Sequence, residues 1–340
     1  MYWAKSDEDK PTIVEKSVMR RVIGAAVSVI MCLLCMSPVR AEAFPDNPVT
    51  MVVPYAPGGT ADLLGRAFAE YLSRALGQKV IVLIKAGAGS MIGAEYVAKA
   101  KPDGYTILLG ANPLTINAAV MNLTFDPMKE LTPVAGVVGF ASVLVTSAAS
   151  LYQSVADIVS ASKTAHLTFG SSGPGTVSQM CGELLKSGAG IGMEHVPYKG
   201  SGAVYPDLIS QRVSLLCDVS GSALGFIKSG AVRPLGVTSK NRLKALPDVP
   251  TIAEQGFPGF EVLSWFGIFV PAGTPPEVVT RLEKAVGEVV RTQAFIDRVD
   301  QWGGFPLSEQ STADFSHFYH AEADHFKRLV SEGKLQRLEN

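Results

Sequence analysis

Apolar residues along this chain follow two alternating rhythms. Residues 49–53 form an unbroken apolar run closed by Pro54, as a strand buried on both faces would. Residues 61–76 then take a helical period. Leu64, Phe68, Tyr71, Leu72 and Ala75 share one face, and Gly77 is a stop signal. A strand over 79–84, a helix over 92–100 and a strand over 105–110 continue the alternation. It resumes with strands over 143–146, 167–169, 193–196, 213–218, 232–238 and 266–270. Helices are expected over 176–187, 203–210, 223–229, 276–291, 294–301 and 312–332. A further helix opens at Ser154-Val155-Ala156-Asp157, which resembles a capping box. Residues 246–259, rich in Pro and Gly, read as a connection.

Strands alternating with helices predict an α/β fold with mainly parallel sheets flanked by helices. The two groups of units imply two lobes, 44–142 plus 266–340 and 143–265. Hinge segments are expected near Val143 and Trp265. Ligands of such sheets sit beyond the C-terminal strand ends, here in the cleft between lobes. There is no internal repeat and no low-complexity segment.

Residues 1–43 read as a separate segment. Met19-Arg20-Arg21 is a basic start, 22–36 is almost wholly apolar, and Ala41-Glu42-Ala43 is a small-x-small cleavage site. Together they predict a secretory signal peptide cleaved near Ala43, with Met19 as the natural initiator and 1–18 a misassigned start. The apolar run, about fifteen residues, falls short of the roughly twenty a membrane span needs. Leu34 stands before Cys35 where a lipoprotein would have a small residue. The expected location is therefore the periplasm.

Composition narrows the function. The 340 residues are 47% hydrophobic, enough for a sizeable core. A formal charge of -1 removes the electrostatic case for nucleic acid. Cys181 and Cys217 remain after export, in a compartment that permits disulfides; they fall in separate predicted elements, which leaves their pairing open, and two buried free thiols are the favoured reading. His317, His320 and His325 lie near Glu322 and Asp324 on the last helix, but His325 turns away and no zinc motif forms. A solvated helix face is expected, with no metal and no cofactor.

Three glycine-rich loops join strands to helices. In the first, 54–62, Gly58 and Gly59 let backbone approach a ligand beside Tyr55, and Thr60 is an N-cap candidate. Free amides behind Thr60 make a ready anion site. Asp62 either complements the helix dipole, orients the loop or meets a ligand amine. The second loop, 87–93, nearly matches a dinucleotide fingerprint but is one residue too long, and Ala111-Asn112 stand where its acidic residue would be. It reads as a tight turn with close helix packing. The third carries Ser171, Ser172, Gly173 and Thr176, whose hydroxyls and amides could grip the other end of an anion. Pro174 prevents a nucleophile elbow centred on Ser172. Asp218 closes an apolar strand and either caps it or faces the cleft in a ligand or hinge role. With no catalytic constellation, the chain is expected not to be an enzyme.

The sequence resembles the periplasmic solute-binding proteins of tripartite tricarboxylate transporters, the Bug receptors. The resemblance rests on Val52-Val53-Pro54-Tyr55-Ala56-Pro57-Gly58-Gly59-Thr60-Ala61-Asp62 with Arg66, Gly87-Ala88-Gly89, Gly93-Ala94-Glu95 and Pro102-Asp103-Gly104-Tyr105-Thr106. It continues through Gly170-Ser171-Ser172-Gly173, His195-Val196-Pro197-Tyr198-Lys199-Gly200, Leu246-Pro247-Asp248-Val249-Pro250-Thr251 and Pro271-Ala272-Gly273-Thr274-Pro275. The resemblance implies a two-lobed periplasmic binding protein of type II-like form, acting as a monomer. It implies a small carboxylate held between 58–60 and 171–176, and delivery to integral membrane transporter subunits. The same capture could instead feed a membrane sensor kinase. Leu83-Ile84, Ala86, Gln179 and Ser214 depart from the residues common in the family, Glu-Asn, Pro, His and Asp, and leave ligand identity open.

Overall fold

The computed structural model describes residues 44–307, 311–332 and 337, so the expected signal peptide and start site lie outside the described residues. Ten strands form one curled, mixed sheet: β1 (Val49–Val53), β2 (Val80–Ile84), β3 (Thr106–Ala111), β4 (Leu131–Ser147), β5 (Thr168–Ser171), β6 (Glu194–Pro197), β7 (Leu215–Val219), β8 (Val232–Val237), β9 (Leu263–Pro271) and β10 (Gly304–Pro306). The sheet runs β2-β1-β3-β9-β4-β7-β5-β6, with β8 and β10 also paired to β4.

Each end of this order is parallel, as the alternation implies: β2-β1-β3 on one side and β7-β5-β6 on the other. Between them run antiparallel β9 and β4. The long β4 links the two ends. Up to Ala141 it pairs with β9; from Ser142 it pairs with β7, and from Val143 also with β8. Only its last residues, 143–146, were expected as strand. The preceding stretch is rich in Gly, Ala and Val and shows neither a period of two nor of 3.6, so pattern alone leaves it unassigned. Other unexpected elements are the short helix Pro127–Glu130, the strand β10 and the helix Pro113–Val120, the last with proline at its first position, where the missing N–H costs nothing.

The first helix, Thr60–Leu76, shows how packing follows pattern. Leu64, Phe68 and Leu72 are fully buried against β1 and β3. Gly77, at φ 74°, closes it with an N–H bond to Ser73. Ile116, Ala119 and Val120 of the helix Pro113–Val120 enter a second core with Phe169, Cys181, Leu185 and Cys217.

That second core corrects one expectation. Cys181 and Cys217 are not free thiols; they form a disulfide across 36 residues of sequence. The helix Val177–Ala189 packs on β7 and brings their Cα atoms to 6.2 Å, a meeting that separation along the chain does not disclose. Closing a loop of this size removes denatured-state entropy worth roughly 4 kcal/mol. The three histidines of the last helix, Thr312–Ser331, are exposed, while Glu322 turns inward.

Candidate ligand-binding site

Two pairs of parallel strands, β1 with β3 and β5 with β7, run in opposite senses across the sheet, and each strand feeds a helix: β1 leads to Thr60–Leu76, β3 to Pro113–Val120, β5 to Val177–Ala189 and β7 to Ser220–Lys228. Residues at the starts of all four helices surround one cavity of about 40 Å³. The first contributes Gly59, Thr60 and Ala61; the second Asn112 and Pro113; the third Thr176, Val177 and Ser178; the fourth Asp218 and Val219. Tyr55, Ser172, Ser201, Ser264 and Phe266 complete most of the wall. First-turn amides have no partner within their own helix and carry partial positive charge. Convergent helix starts therefore give the cavity a positive field, although no Lys, Arg or His lines it.

The loop 54–59 is held by its own helix. Asp62, buried, accepts from the Gly58 N–H at 3.0 Å and from Arg66 Nε at 2.7 Å. Of the roles weighed for Asp62, loop orientation is the one this geometry serves, and neither Asp62 nor Gly58 lines the cavity. Thr60 does line it, but its hydroxyl does not cap the helix. Its Oγ1 accepts from the Ser222 N–H at 2.9 Å and lies 3.1 Å from Ser222 Oγ, tying the first helix to the fourth. Tyr55 lines the wall beside it, and burial pushes its phenol well above the ordinary value.

The loop 171–176 is likewise mostly satisfied from within. Ser171 Oγ accepts from the Gly173 N–H at 3.1 Å, Ser178 Oγ accepts from the Ser172 N–H at 2.9 Å, and Gln179 Oε1 accepts from the Gly175 N–H at 2.7 Å. Thr176 Oγ1 donates to the Gly173 carbonyl at 2.6 Å. These bonds leave the first-turn amides of the helix, rather than the loop itself, open toward a guest. Ser171 and Gly173 thus shape the loop, whereas Ser172 and Thr176 face the cavity.

Ser171 also stands 2.6 Å from His195 Nε2, a pairing that could suggest a nucleophile. The network argues otherwise. Because Gln179 Oε1 is occupied by Gly175, its Nε2 faces His195 Nδ1, at 3.4 Å. Nδ1 is then an acceptor, Nε2 carries the proton, and Ser171 must accept it. The serine's own proton goes to the Gly173 carbonyl at 3.2 Å. No base is placed to take it, and Ser171 is fully buried. Burial holds His195 below its ordinary pKa, which favours this neutral form.

Asp218 is the acid in the wall. It is buried, and its carboxylate accepts from Tyr205 at 2.7 Å and from the Ser222 hydroxyl, with Ser201 a further donor. Desolvation raises its pKa, and these donors oppose the rise. Ser201, Asn112, Ser264 and Phe266 were not expected in the site. Asn112 was legible as a residue between a strand end and a helix-starting proline; Ser264 and Phe266 reach the cavity only through the pairing of β9 with β3 and β4. Behind Asn112, Glu322 accepts from Asn112 Nδ2 at 3.1 Å, Thr115 Oγ1 at 2.6 Å and Trp265 Nε1 at 2.9 Å. Burial raises its pKa as well.

The walls meet through backbone. The Ala56 N–H donates to the Lys199 carbonyl at 3.0 Å. A Cβ on Gly202 would stand 2.3 Å from the Pro57 carbonyl oxygen and 2.9 Å from Gly58 C, and one on Gly89 would collide with the Pro174 carbonyl. The second loop is also the close-packed turn its sequence suggests, since a Cβ on Gly93 would sit 2.7 Å from Pro54.

A family model described as tripartite tricarboxylate transporter family receptor, TctC, matches residues 64–335. The chain belongs to that family. Among solved structures it is similar to the periplasmic binding protein BugD, at 31% identity and a TM-score of 0.83 over 87% of this chain and 100% of that one. An R. palustris protein solved with adipate is 32% identical, with a TM-score of 0.82 over 87% and 100%. MatC from Rhodopseudomonas palustris with bound malate is 28% identical, with a TM-score of 0.80 over 84% and 100%. Family and fold are those of periplasmic solute-binding receptors, not of enzymes. Among the described residues no helix is long and apolar enough to cross a membrane.

Proposed function

We propose that this TctC-family receptor captures a small carboxylate in the periplasm, as a monomer, and hands it to integral membrane transporter subunits. The observation that carries the reading is the convergence of four helix starts on one cavity whose lining has no cationic side chain. Adipate and malate in the neighbours support the ligand class. The binding residues are Gly59, Thr60, Ser172 and Thr176, with Tyr55 and Asp218 in the wall. Gly58, Asp62, Ser171 and Gly173 hold the loops in shape.

In this reading 44–142 plus 266–340 and 143–265 act as two lobes. The switch of β4 from β9 to β7, between Ala141 and Ser142, supports a hinge near Val143. Its neighbour Trp265 pairs with Gly139. The carboxylate docks on one lobe's amides; closure adds the other's and excludes water, which strengthens each charge-assisted bond. Titration calorimetry of the purified protein against di-, tri- and monocarboxylates tests this. Binding to at least one acid is expected, and folded protein that binds none overturns it.

A further inference from the structure

We infer that the Cys181–Cys217 disulfide is a positioning device for the ligand site, fixing two of its walls against each other. This rests on the cavity described above being the ligand site. The bond lies between two of the elements whose ends face the cavity. Cys217 immediately precedes Asp218 on β7. Cys181 lies four residues after Val177, about 6 Å along the helix axis at 1.5 Å per residue. A single covalent link therefore joins the start of the helix Val177–Ala189 to the strand that carries Asp218 and leads into the helix Ser220–Lys228.

The surroundings of the bond give it this role. Both cysteines are buried, at 0% and 2% exposure, among Phe169, Leu185 and Leu215. The helix lies directly on the Phe169 ring, because a Cβ on Gly182 would enter that ring. Apolar contacts of this kind resist separation more than sliding, since burial is not directional. The hydrogen bonds that the Ser172 and Gly175 N–H groups donate to Ser178 and Gln179 fasten the loop 172–175 to the helix, so any slide of the helix moves the loop with it. The disulfide stops that slide at its second turn. Sites of this kind lose affinity when a supporting contact leaves their donors about 1 Å too loose.

The test needs no knowledge of the ligand. Peptide mapping without reductant should recover Cys181 and Cys217 in one linked peptide; recovery as two free thiols overturns the inference at once. In the ligand-free C181A/C217A variant, hydrogen exchange should quicken by roughly tenfold at amides 172–179 and 218–222. Exchange in β1 and β3 should stay at the wild-type rate. Equal exchange in wild type and variant, or a uniform rise across the chain, contradicts a positioning role. If that variant does not fold, C181A/C217V, which refills more of the buried volume, supplies the same comparison. Affinity for adipate and malate, where the wild type binds either, should fall severalfold in the variant. Absence of carboxylate binding by the wild type would count against the ligand reading and leave the exchange result intact.

Discussion

A side chain as small as a methyl group decides whether the walls of this cavity can meet. Gly202 has backbone angles that other residues tolerate, yet its added Cβ would press on the backbone of Gly58 and Gly59. Gly202→Ala should therefore push the two walls apart. It should weaken carboxylate binding by about tenfold or more, because closure is what the methyl opposes; equal affinities by calorimetry would refute this. Asp218 makes a second prediction. Its folded pKa lies above the ordinary 3.8, so the folded state holds the proton more tightly. Ionisation then penalises the fold as pH climbs from about 4 through the raised value. The thermal midpoint of Asp218→Asn relative to wild type should move in the variant's favour as pH rises from about 4 to 7. A difference flat with pH would show that Asp218 titrates normally. At this scale the sequence disclosed much. Tyr55, Gly59, Thr60, Ser172, Thr176 and Asp218 all line the cavity because loops after strands declare themselves through glycine and hydroxyl residues. Ser201 and Ser264 were illegible, since their place depends on pairing between distant segments.

Among the elements, the last helix does more than cover the sheet. Phe315 and Tyr319 pack with Trp265 in one core, Phe326 and Val330 against the other. Glu322 between them gathers donors from Asn112, Thr115 and Trp265. Glu322→Gln would turn an NH2 toward at least one of those donors and leave it unsatisfied. A loss of about 1–3 kcal/mol in denaturant unfolding is expected; a variant as stable as wild type would show that water replaces the bond. Elements with a clear period, such as Thr60–Leu76 and Pro276–Val290, were legible almost to their ends. The 17-residue β4 was not, because it is covered on both faces and rich in small residues, so it has no polar face to mark a period. The disulfide escaped for a related reason: only the docking of the helix Val177–Ala189 on β7 brings its two halves together.

For the whole molecule, the proposed site is one cavity whose lining carries no cationic side chain. The two parallel ends of the sheet aim their helix starts at one point, and β4 joins them continuously. An acid held by buried amides is screened little by dissolved ions. Its affinity should change by less than about threefold between roughly 0.05 and 0.5 M salt. A steep loss would point to a lysine or arginine cluster elsewhere on the surface. The α/β class was legible from alternation alone; the antiparallel centre was not, since strand direction depends on which strands become neighbours.

The most direct measurement is a crystal structure of the protein with whichever acid calorimetry selects. The account expects carboxylate oxygens about 2.7–3.2 Å from first-turn amides of both Thr60–Leu76 and Val177–Ala189. An acid bound outside this cavity, or held by a basic side chain, would contradict it.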